Sequence, residues 1–429
     1  MTVIFAEGGP ERVLGPDAKQ AAVRAAIQAA GDCSRTLILP PDGTRPHSDA
    51  GFLTDALCRQ IGPEATVHVM PALGTHCAMT RPELVAMFGD GIPAEAFREH
   101  RWREDLTRLG TVPAELVHAV SEGVLRDYMP DYDVPVEVNR RLVEGGYTAI
   151  LSVGQVLPHE VAGMANGFKN VLVGTGGQET INRTHFLGAV YGMERMMGRA
   201  ETPVRAVLNH AHERHLAGLG ILYIMTVMEA ADDGRVLTRG IYVGDDEEAF
   251  RLAAALSRRV NVTLLGEPRD RVVAYMAPDE FRTTWLANKA IYRTRMAIAD
   301  GGELTVLAPG VRGFGEDPKI DRLIRRYGYR GTPATLKAAA ENDDLRANLA
   351  AAAHLIHGSS EGRFRVVYAT DPDRLSPDEV RRTGFEWRDV AEALRQYPPD
   401  RLPGGDNGDF YFVRRPALGL WAVRDRFDD

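Results

Sequence analysis

Short runs of β-favouring apolar residues alternate with stretches of helical periodicity along the first half of the chain. Thr36–Pro40 (TLILP) reads as a strand, followed by the turn-rich segment Pro41-Asp42-Gly43-Thr44-Arg45-Pro46. A helical stretch starts near Ser48 or Asp49, either of which suits an N-cap. Thr66–Met70 (TVHVM) is the next expected strand, closed by the loop Gly74-Thr75-His76, and Thr80 and Glu83 stand at capping-box spacing for the helix after it. Thr148–Val153 (TAILSV) repeats the arrangement, with Pro158-His159 in the segment that follows. Val171–Val173 leads into Gly174-Thr175-Gly176-Gly177 and then a helix expected to run through Met197. Strand, polar loop and helix, repeated in this order, predict a parallel sheet with right-handed crossovers.

The second half restarts the pattern. Glu267-Pro268-Arg269-Asp270 reads as a linker, and Val272–Tyr275 and Leu304–Leu307 as strands, with a helix from about Pro278 to Ala299 between them. Arg363–Tyr368, a helix near Trp387–Arg395 and Asp409–Val413 follow. The expected architecture is therefore α/β with two domains: a larger N-terminal, Rossmann-like parallel-sheet domain over 1–266 and a smaller C-terminal α/β domain over 267–415. The tail 416–429, with Leu418, Leu420 and Trp421, is expected to pack back on the fold.

Composition narrows the classes. The 429 residues suggest two or three domains. Lys+Arg at 51 against Asp+Glu at 59 gives a net charge of −8, and with no basic block this argues against nucleic acid as partner. The longest apolar stretch, Leu216–Met228, has 13 residues, too short to span a bilayer, and reads as a buried strand. Three cysteines, Cys33, Cys58 and Cys77, make no disulfide framework and no CxxC pair, and no signal peptide is visible, which fits a reducing, cytoplasmic setting.

Ligands in open α/β sheets sit beyond the carboxyl ends of strands. Asp42, Arg45, His76, His159 and Lys169 fall just after, or between, expected strand ends, which points to a shared cleft; each taken alone also suits a structural turn or a solvated side chain. Gly174-Thr175-Gly176-Gly177 before a helix suits either a phosphate, held by unpaired first-turn N–H groups, or a plain tight turn. It is neither GxGxxG nor a Walker loop. His210, His212 and His215 have the H-x-H-x-x-H spacing of a zinc cluster, but Arg214 stands where such sites carry a carboxylate, and a guanidinium repels a cation. A zinc hydrolase on these three residues is one alternative reading; histidines on a solvated helix or turn are the other.

The array Pro158-His159, then nine residues to Lys169, then fifteen to His185, resembles the lactate racemase family. Asp42-Gly43-Thr44-Arg45-Pro46 and Gly74-Thr75-His76 look like two upstream motifs of the same family. The segments from Ala308 to Asp317 and from His357 to Arg363 look like a subgroup distinct from the lactate enzymes. The resemblance implies an isomerase that uses a nickel-pincer nucleotide, a pyridinium mononucleotide made by separate maturation proteins. By motif position, His185 is the nickel ligand, Lys169 the covalent tether, and His76 and His159 the acid/base pair. Arg45 orients substrate or cofactor and Asp42 supports the site, with Gly174 and Thr175 on the cofactor side. The substrate class is a 2-hydroxy acid, interconverted by hydride transfer to and from the ring. Two departures argue against lactate itself. Cys77 follows His76 where the family often has Arg, and Tyr292-Arg293-Thr294-Arg295-Met296 replaces a Tyr-Gln-x-x-Lys-like stretch. The expected substrate is a sugar acid or hydroxy dicarboxylate, with Arg293, Arg295 and His357, together with His354 and Arg363, as second-domain contacts. A non-catalytic protein that binds the hydroxy acid or the cofactor is the remaining alternative; the four-residue set His76, His159, Lys169 and His185 argues against it, because a binder needs no paired bases.

Overall fold

The alternating pattern folds into two six-stranded sheets, one in each of two units of the computed structural model, which describes residues 3–231 and 235–428. The first unit comprises Met1–Thr184, Met197–Ala231 and Arg235–Asn261; the second is built from His185–Met196 and Val262–Asp429.

The strands of the first unit are β1 (Val3–Gly8), β2 (Arg35–Leu39), β3 (Thr66–Val69), β4 (Leu106–Val112), β5 (Val134–Asn139), β6 (Ala149–Gln155), β7 (Pro158–His159), β8 (Gly163–Met164), β9 (Leu222–Ala230) and β10 (Val236–Gly244). Its main sheet runs β1-β10-β9-β6-β2-β3. The β9-β6-β2-β3 half is parallel, as expected. The β1-β10-β9 edge is antiparallel; β9 ends at Ala230 and β10 begins at Val236, too short a separation for the crossover that a parallel pair needs. One sheet face buries Ile38, Leu151, Val153, Ile224 and Ile241 against Val23, Ala26, Leu53 and Leu57 of the helices Pro16–Ala30 and Ala50–Ile61. At roughly 1.5–3 kcal/mol for each large aliphatic side chain removed from water, this layer anchors the strand ends that carry the polar loops. A helix over Glu247–Asn261 begins with Glu247 and Glu248 and ends with Arg258 and Arg259, matching its dipole.

The second unit contains β11 (Val262–Leu265), β12 (Arg269–Tyr275), β13 (Ile298–Leu307), β14 (Arg365–Thr370), β15 (Glu386–Asp389), β16 (Gly405–Asp406), β17 (Tyr411–Val413) and β18 (Leu420–Val423). Its sheet runs β15-β14-β13-β12-β17-β16, parallel except for the β16-β17 edge. The tail supplies β18, which pairs in parallel with β11.

Several local expectations are corrected. Asp49 occupies the N-cap position in the left-handed region (φ 60), but its carboxylate bonds Lys19 at 2.7 Å instead of the helix, and the Ser48 hydroxyl accepts the Ala50 N–H at 3.3 Å. Val171–Val173 is no strand: Phe168, Val171 and Leu172 share one buried face of the short helix Phe168–Leu172. The helix expected to reach Met197 is two pieces, Gln178–Tyr191 and Met193–Met196, separated at Gly192. Residues 216–221 do not join the strand expected over Leu216–Met228: Ala217–Leu219 is a 3-10 turn and β9 begins at Leu222. Arg269 and Asp270 begin β12 and are not a linker. The single helix expected over Pro278–Ala299 is reduced to Thr284–Ala287 and Lys289–Thr294, because the Thr284 and Trp285 N–H groups bond the carbonyls of Gly313 and Phe314. Trp387 lies in β15, and Asp389 caps the helix Val390–Gln396. The capping box at Thr80 and Glu83 forms as read. Among the described residues no helix is long and apolar enough to cross a membrane.

Candidate functional site

Because β6, β2 and β3 are adjacent and parallel, the loops leaving their carboxyl ends open on one edge of the sheet. The β2 loop carries Asp42 and Arg45, the β3 loop His76, and the β6 loop His159. Asp42 is buried and fully engaged. Its Oδ2 meets His76 Nδ1 at 2.6 Å, and its Oδ1 accepts the Thr44 hydroxyl at 2.6 Å and the Thr44 N–H at 3.1 Å. Burial pushes this carboxyl up, but His76, Thr44 and Arg45 outweigh burial and hold it down at about 2. Asp42 is therefore ionised, and His76 is oriented by a carboxylate with part of its ring open to solvent.

Lys169 stands on the helix Phe168–Leu172. Desolvation lowers its amine from 10.5 to about 8; Arg45 and Arg205 push the same way, while Glu160 and Asp42 act against them. These charges place Lys169, Arg45 and Asp42 in one electrostatic neighbourhood. With the amine at about 8, roughly one in five is neutral near pH 7.4, far more than for an ordinary lysine, and only the neutral form is a nucleophile. His159 is buried, and its Nδ1 accepts the Val161 N–H at 3.1 Å.

Four further residues belong to this site. Glu160 contributes a charge to Lys169, and Thr44 holds Asp42. Asn166 is buried in the left-handed region (φ 68), and among the described residues neither its Oδ1 nor its Nδ2 has a hydrogen-bond partner. Its amide sits at the end of β6, where a Cβ on Gly154 would lie 2.9 Å from Asn166 Nδ2 and 3.7 Å from Pro41 Cδ. Arg205, itself buried, donates to the carbonyls of Asn166 (3.0 Å) and Met164 (2.6 Å) and so holds the strained turn. The Asn-Gly pair at 166–167 is a sequence signal for positive φ. Nothing in the sequence marks Arg205, whose role depends on burial.

Gly174 and Thr175 behave differently from a phosphate cradle. The N–H groups of Gly174, Thr175, Gly176 and Gly177 donate to the carbonyls of Lys169, Val171, Val173 and Glu137. The carbonyl of Gly174 receives the Gly74 N–H, that of Thr175 the Asn139 N–H, and that of Gly176 pairs with His100 Nε2. The Thr175 hydroxyl donates to the Val171 carbonyl. The segment is thus a backbone strap tying the His76 loop to the Lys169 helix, and its donors are spent. A Cβ on Gly176 would lie 2.0 Å from the Leu172 carbonyl oxygen. Gly176→Ala is expected to cost more than about 2 kcal/mol in chemical denaturation, because backbone must move to admit it.

His185 lies on the helix Gln178–Tyr191, in its stretch that belongs to the second unit, and is half-buried. Within that unit Arg293 and His357 are buried, and Arg293 reaches the Gly419 carbonyl at 3.4 Å. Arg295 is committed elsewhere: it donates to Glu194 at 2.8 Å and to the Ser359 carbonyl at 3.1 Å, and Arg363 meets the same Glu194 at 2.6 Å. Burial raises the Glu194 carboxyl, and Arg295 and Arg363 more than reverse this. Arg295 and Arg363 therefore serve an internal ion-pair cluster in this conformation. His354 bonds the hydroxyls of Tyr292 and Tyr329.

The His210, His212 and His215 trio does not converge. All three ride the helix Pro203–His215, where positions two apart point roughly 200° from each other. His212 stacks on Phe168 at 3.7 Å between centroids, and burial holds it at about 4. Among the described residues no group of three His, Cys, Asp or Glu side chains stands ready to hold a metal. The zinc-hydrolase alternative falls with this geometry.

Mixed, mostly parallel sheets make this a two-unit α/β protein with titratable groups gathered at the carboxyl ends of its strands. Residues 130–197 match the lactate racemase N-terminal domain family. No curated protein matches the chain in sequence. Among solved structures, a crystal structure of a Thermotoga maritima protein is 23% identical, with 97% of this chain and 100% of that one covered and a TM-score of 0.82. The lactate racemase apoprotein of Thermoanaerobacterium thermosaccharolyticum is 19% identical, with 94% and 92% covered and a TM-score of 0.68. At these identities the structural likeness is one of fold.

Proposed function

We propose that this protein is a racemase or epimerase of a 2-hydroxy acid that works with a nickel-pincer nucleotide tethered to Lys169. The observation that carries this reading is the half-buried Lys169, whose amine desolvation lowers to about 8, in the same electrostatic neighbourhood as Arg45 and the Asp42–His76 pair. The residues present fit such a group. Lys169 offers an amine whose neutral, nucleophilic fraction is raised by desolvation, which suits a covalent thioamide. Arg45 and Arg205 offset an anion. The unpartnered, buried Asn166 amide offers one donor group and one acceptor, whose burial without a ligand costs roughly 1–3 kcal/mol. His185 is the residue assigned to the metal. When bound, the pyridinium ring supplies a reversible hydride acceptor at the α-carbon, which spares the reaction a carbanion.

The chain's own groups do the rest. Arg45 binds the carboxylate with its planar fork of donors. His76 and His159 attend the hydroxyl oxygen, where a proton must leave as the keto group forms and return as it is reduced. Asp42 holds the His76 ring. The substrate is larger or more polar than lactate, a sugar acid or hydroxy dicarboxylate.

The test is a screen of 2-hydroxy acids with enzyme matured in the presence of the cofactor-building proteins, read by chiral chromatography together with metal analysis. About one nickel per chain is expected, and His185→Ala should lower that occupancy severalfold. Nickel loading unchanged in His185→Ala removes His185 from the ligand role. Matured protein that interconverts no 2-hydroxy acid overturns the assignment.

A further inference from the structure

Three arginines gather on the first sheet, away from the strand-end loops described above, and no carboxylate balances them. Arg35 opens β2 and Tyr147 stands two residues before β6, so both lie at the amino ends of parallel strands whose carboxyl ends lead to Asp42 and His159. Arg35 pairs with Thr66 and Leu37 with His68 of β3; strand alternation puts Arg35 and His68 on the face opposite to Ile38 and Val69, which pack in the helix-covered core. Arg98 runs beside β3, its N–H on the Val69 carbonyl at 2.8 Å, and Arg141 opens the short helix Arg141–Glu144. Arg98 Nη2 donates to His68 Nε2 at 2.6 Å. A guanidinium can only donate, so Nε2 presents its lone pair and the ring hydrogen is on Nδ1. Nδ1 therefore donates to the Tyr147 hydroxyl oxygen at 2.8 Å, and among the described residues the Tyr147 hydrogen has no acceptor. Arg35 lies 5.4 Å from the Tyr147 ring centroid and spends its Nε on the Gly145 carbonyl at 2.8 Å, which leaves its two terminal nitrogens open. All three charges reach both rings: burial lowers His68, and Arg98, Arg35 and Arg141 lower it further, whereas burial raises Tyr147 and the same three oppose it. Among the described residues none of the three forms an ion pair. Asp105, lowered first by its bonds to Arg101 at 2.7 and 2.9 Å and last by Arg141, is already held, and Glu144 accepts the Thr107 hydroxyl at 2.7 Å.

We propose that Arg35, Arg98, Arg141 and the Tyr147 hydroxyl form a binding site for a phosphate group, separate from the reaction site. Every open group in the cluster is a donor, so its ligand must be an acceptor. Three guanidiniums bring three positive charges. A phosphate dianion answers with about two negative charges and three strong acceptor oxygens, whereas a carboxylate has one charge and two oxygens. The parts differ. Arg35 and Arg141 supply the planar forks, and Tyr147 supplies one O–H. Arg98 is a positioning residue: it bonds the carbonyls of Glu95 and Phe97 through Nη1 and His68 through Nη2, and by fixing the imidazole it turns the Tyr147 hydrogen outward. Without a ligand the three like charges repel one another, and the anion relieves that repulsion. Binding makes ion pairs and hydrogen bonds only; no covalent bond changes.

The test is calorimetric titration of inorganic phosphate into the full chain, at an ionic strength held constant with chloride. Saturable binding is expected, with a rise in Tm that chloride does not give. Arg141→Gln should weaken binding about ten-fold or more. Tyr147→Phe, which keeps the ring and loses only the hydroxyl, should weaken it about three-fold or more, and it serves as the reading should Arg141→Gln fold poorly. Arg24→Gln, at an exposed arginine of the helix Pro16–Ala30, should leave phosphate affinity unchanged. No phosphate binding above chloride overturns the proposal, and so does wild-type affinity in folded Tyr147→Phe and Arg141→Gln. Citrate binding more tightly than phosphate overturns the ligand class. Glucose 6-phosphate, titrated in parallel, separates the sources: tighter binding than inorganic phosphate points to a phosphate ester, and equal binding to free phosphate. None of these readouts involves nickel or a hydroxy acid, so each stands whether the proposed reaction holds or fails.

Discussion

Lys169→Met is expected to give a protein that is more stable and carries no tethered cofactor. The amine is lowered from 10.5 to about 8, mainly by burial, so the folded state disfavours its charged form by about 3 kcal/mol. The sign follows from linkage. The unfolded chain binds this proton more tightly, so between about 8 and 10.5 stability rises with pH, and below about 8 the full penalty is present. Removing the amine at pH 7 should therefore raise Tm by a few degrees, and the gain should shrink as the pH approaches 10. Function moves the other way: the intact mass of matured Lys169→Met should lack the covalent adduct, and interconversion should fall to background. Full cofactor retention in this variant would remove Lys169 from the tether role. A lower Tm at pH 7 would mean that the amine is better satisfied in the fold than its burial indicates.

That opposition between stability and function has a counterpart at Asn166, and the pair shows what a sequence can and cannot announce. Lys169 was legible because its spacing from His159 and His185 is a linear property. Asp42, Arg45 and His76 were legible because each follows a run of β-favouring residues, and the three parallel strands bring those loops to one edge. The burial that depresses the lysine, and the orphaned amide of Asn166 beside Gly154, are properties of packing that no local pattern encodes. The misreadings have the same origin. Val171–Val173 is apolar enough for a strand, and only its position between Gly167 and the glycine strap curls it into a helix. Gly174-Thr175-Gly176-Gly177 looks like an anion cradle until its donors are traced to the carbonyls of Lys169, Val171, Val173 and Glu137. Arg295 looked like a substrate contact until Glu194, about 100 positions earlier and silent in any motif, was found bonded to it. Segments read by periodicity alone held best where one sheet face is buried, and failed where a distant backbone group competes for the local donors, as Gly313 and Phe314 do at Thr284 and Trp285.

The largest loss without removal of a reacting group is expected from Asp42→Asn. An asparagine fits the same space and still bonds Thr44, but its amide can offer an N–H to His76 Nδ1. The ring then carries its hydrogen on Nε2, the nitrogen that must accept the substrate proton, and the base is lost while the geometry survives. A carboxylate-to-amide change behind a catalytic histidine costs on the order of 10⁴ in kcat in the serine protease example of the same logic, and a loss of about 10³–10⁴ is expected here with little change in KM. Thr44→Val, which removes one of the Asp42 bonds and leaves the carboxylate, should cost only about ten-fold. The variant also separates the electrostatic role from the structural one. Asp42 is held at about 2 against an ordinary 3.8, so it contributes stability that is present above 3.8 and lost as the pH falls through about 2. Asp42→Asn should flatten the stability profile across that acid window and leave it unchanged in shape near neutrality. A kcat loss as small as that of Thr44→Val, with the acid profile flattened, would mean that the carboxylate stabilises the fold without setting the histidine.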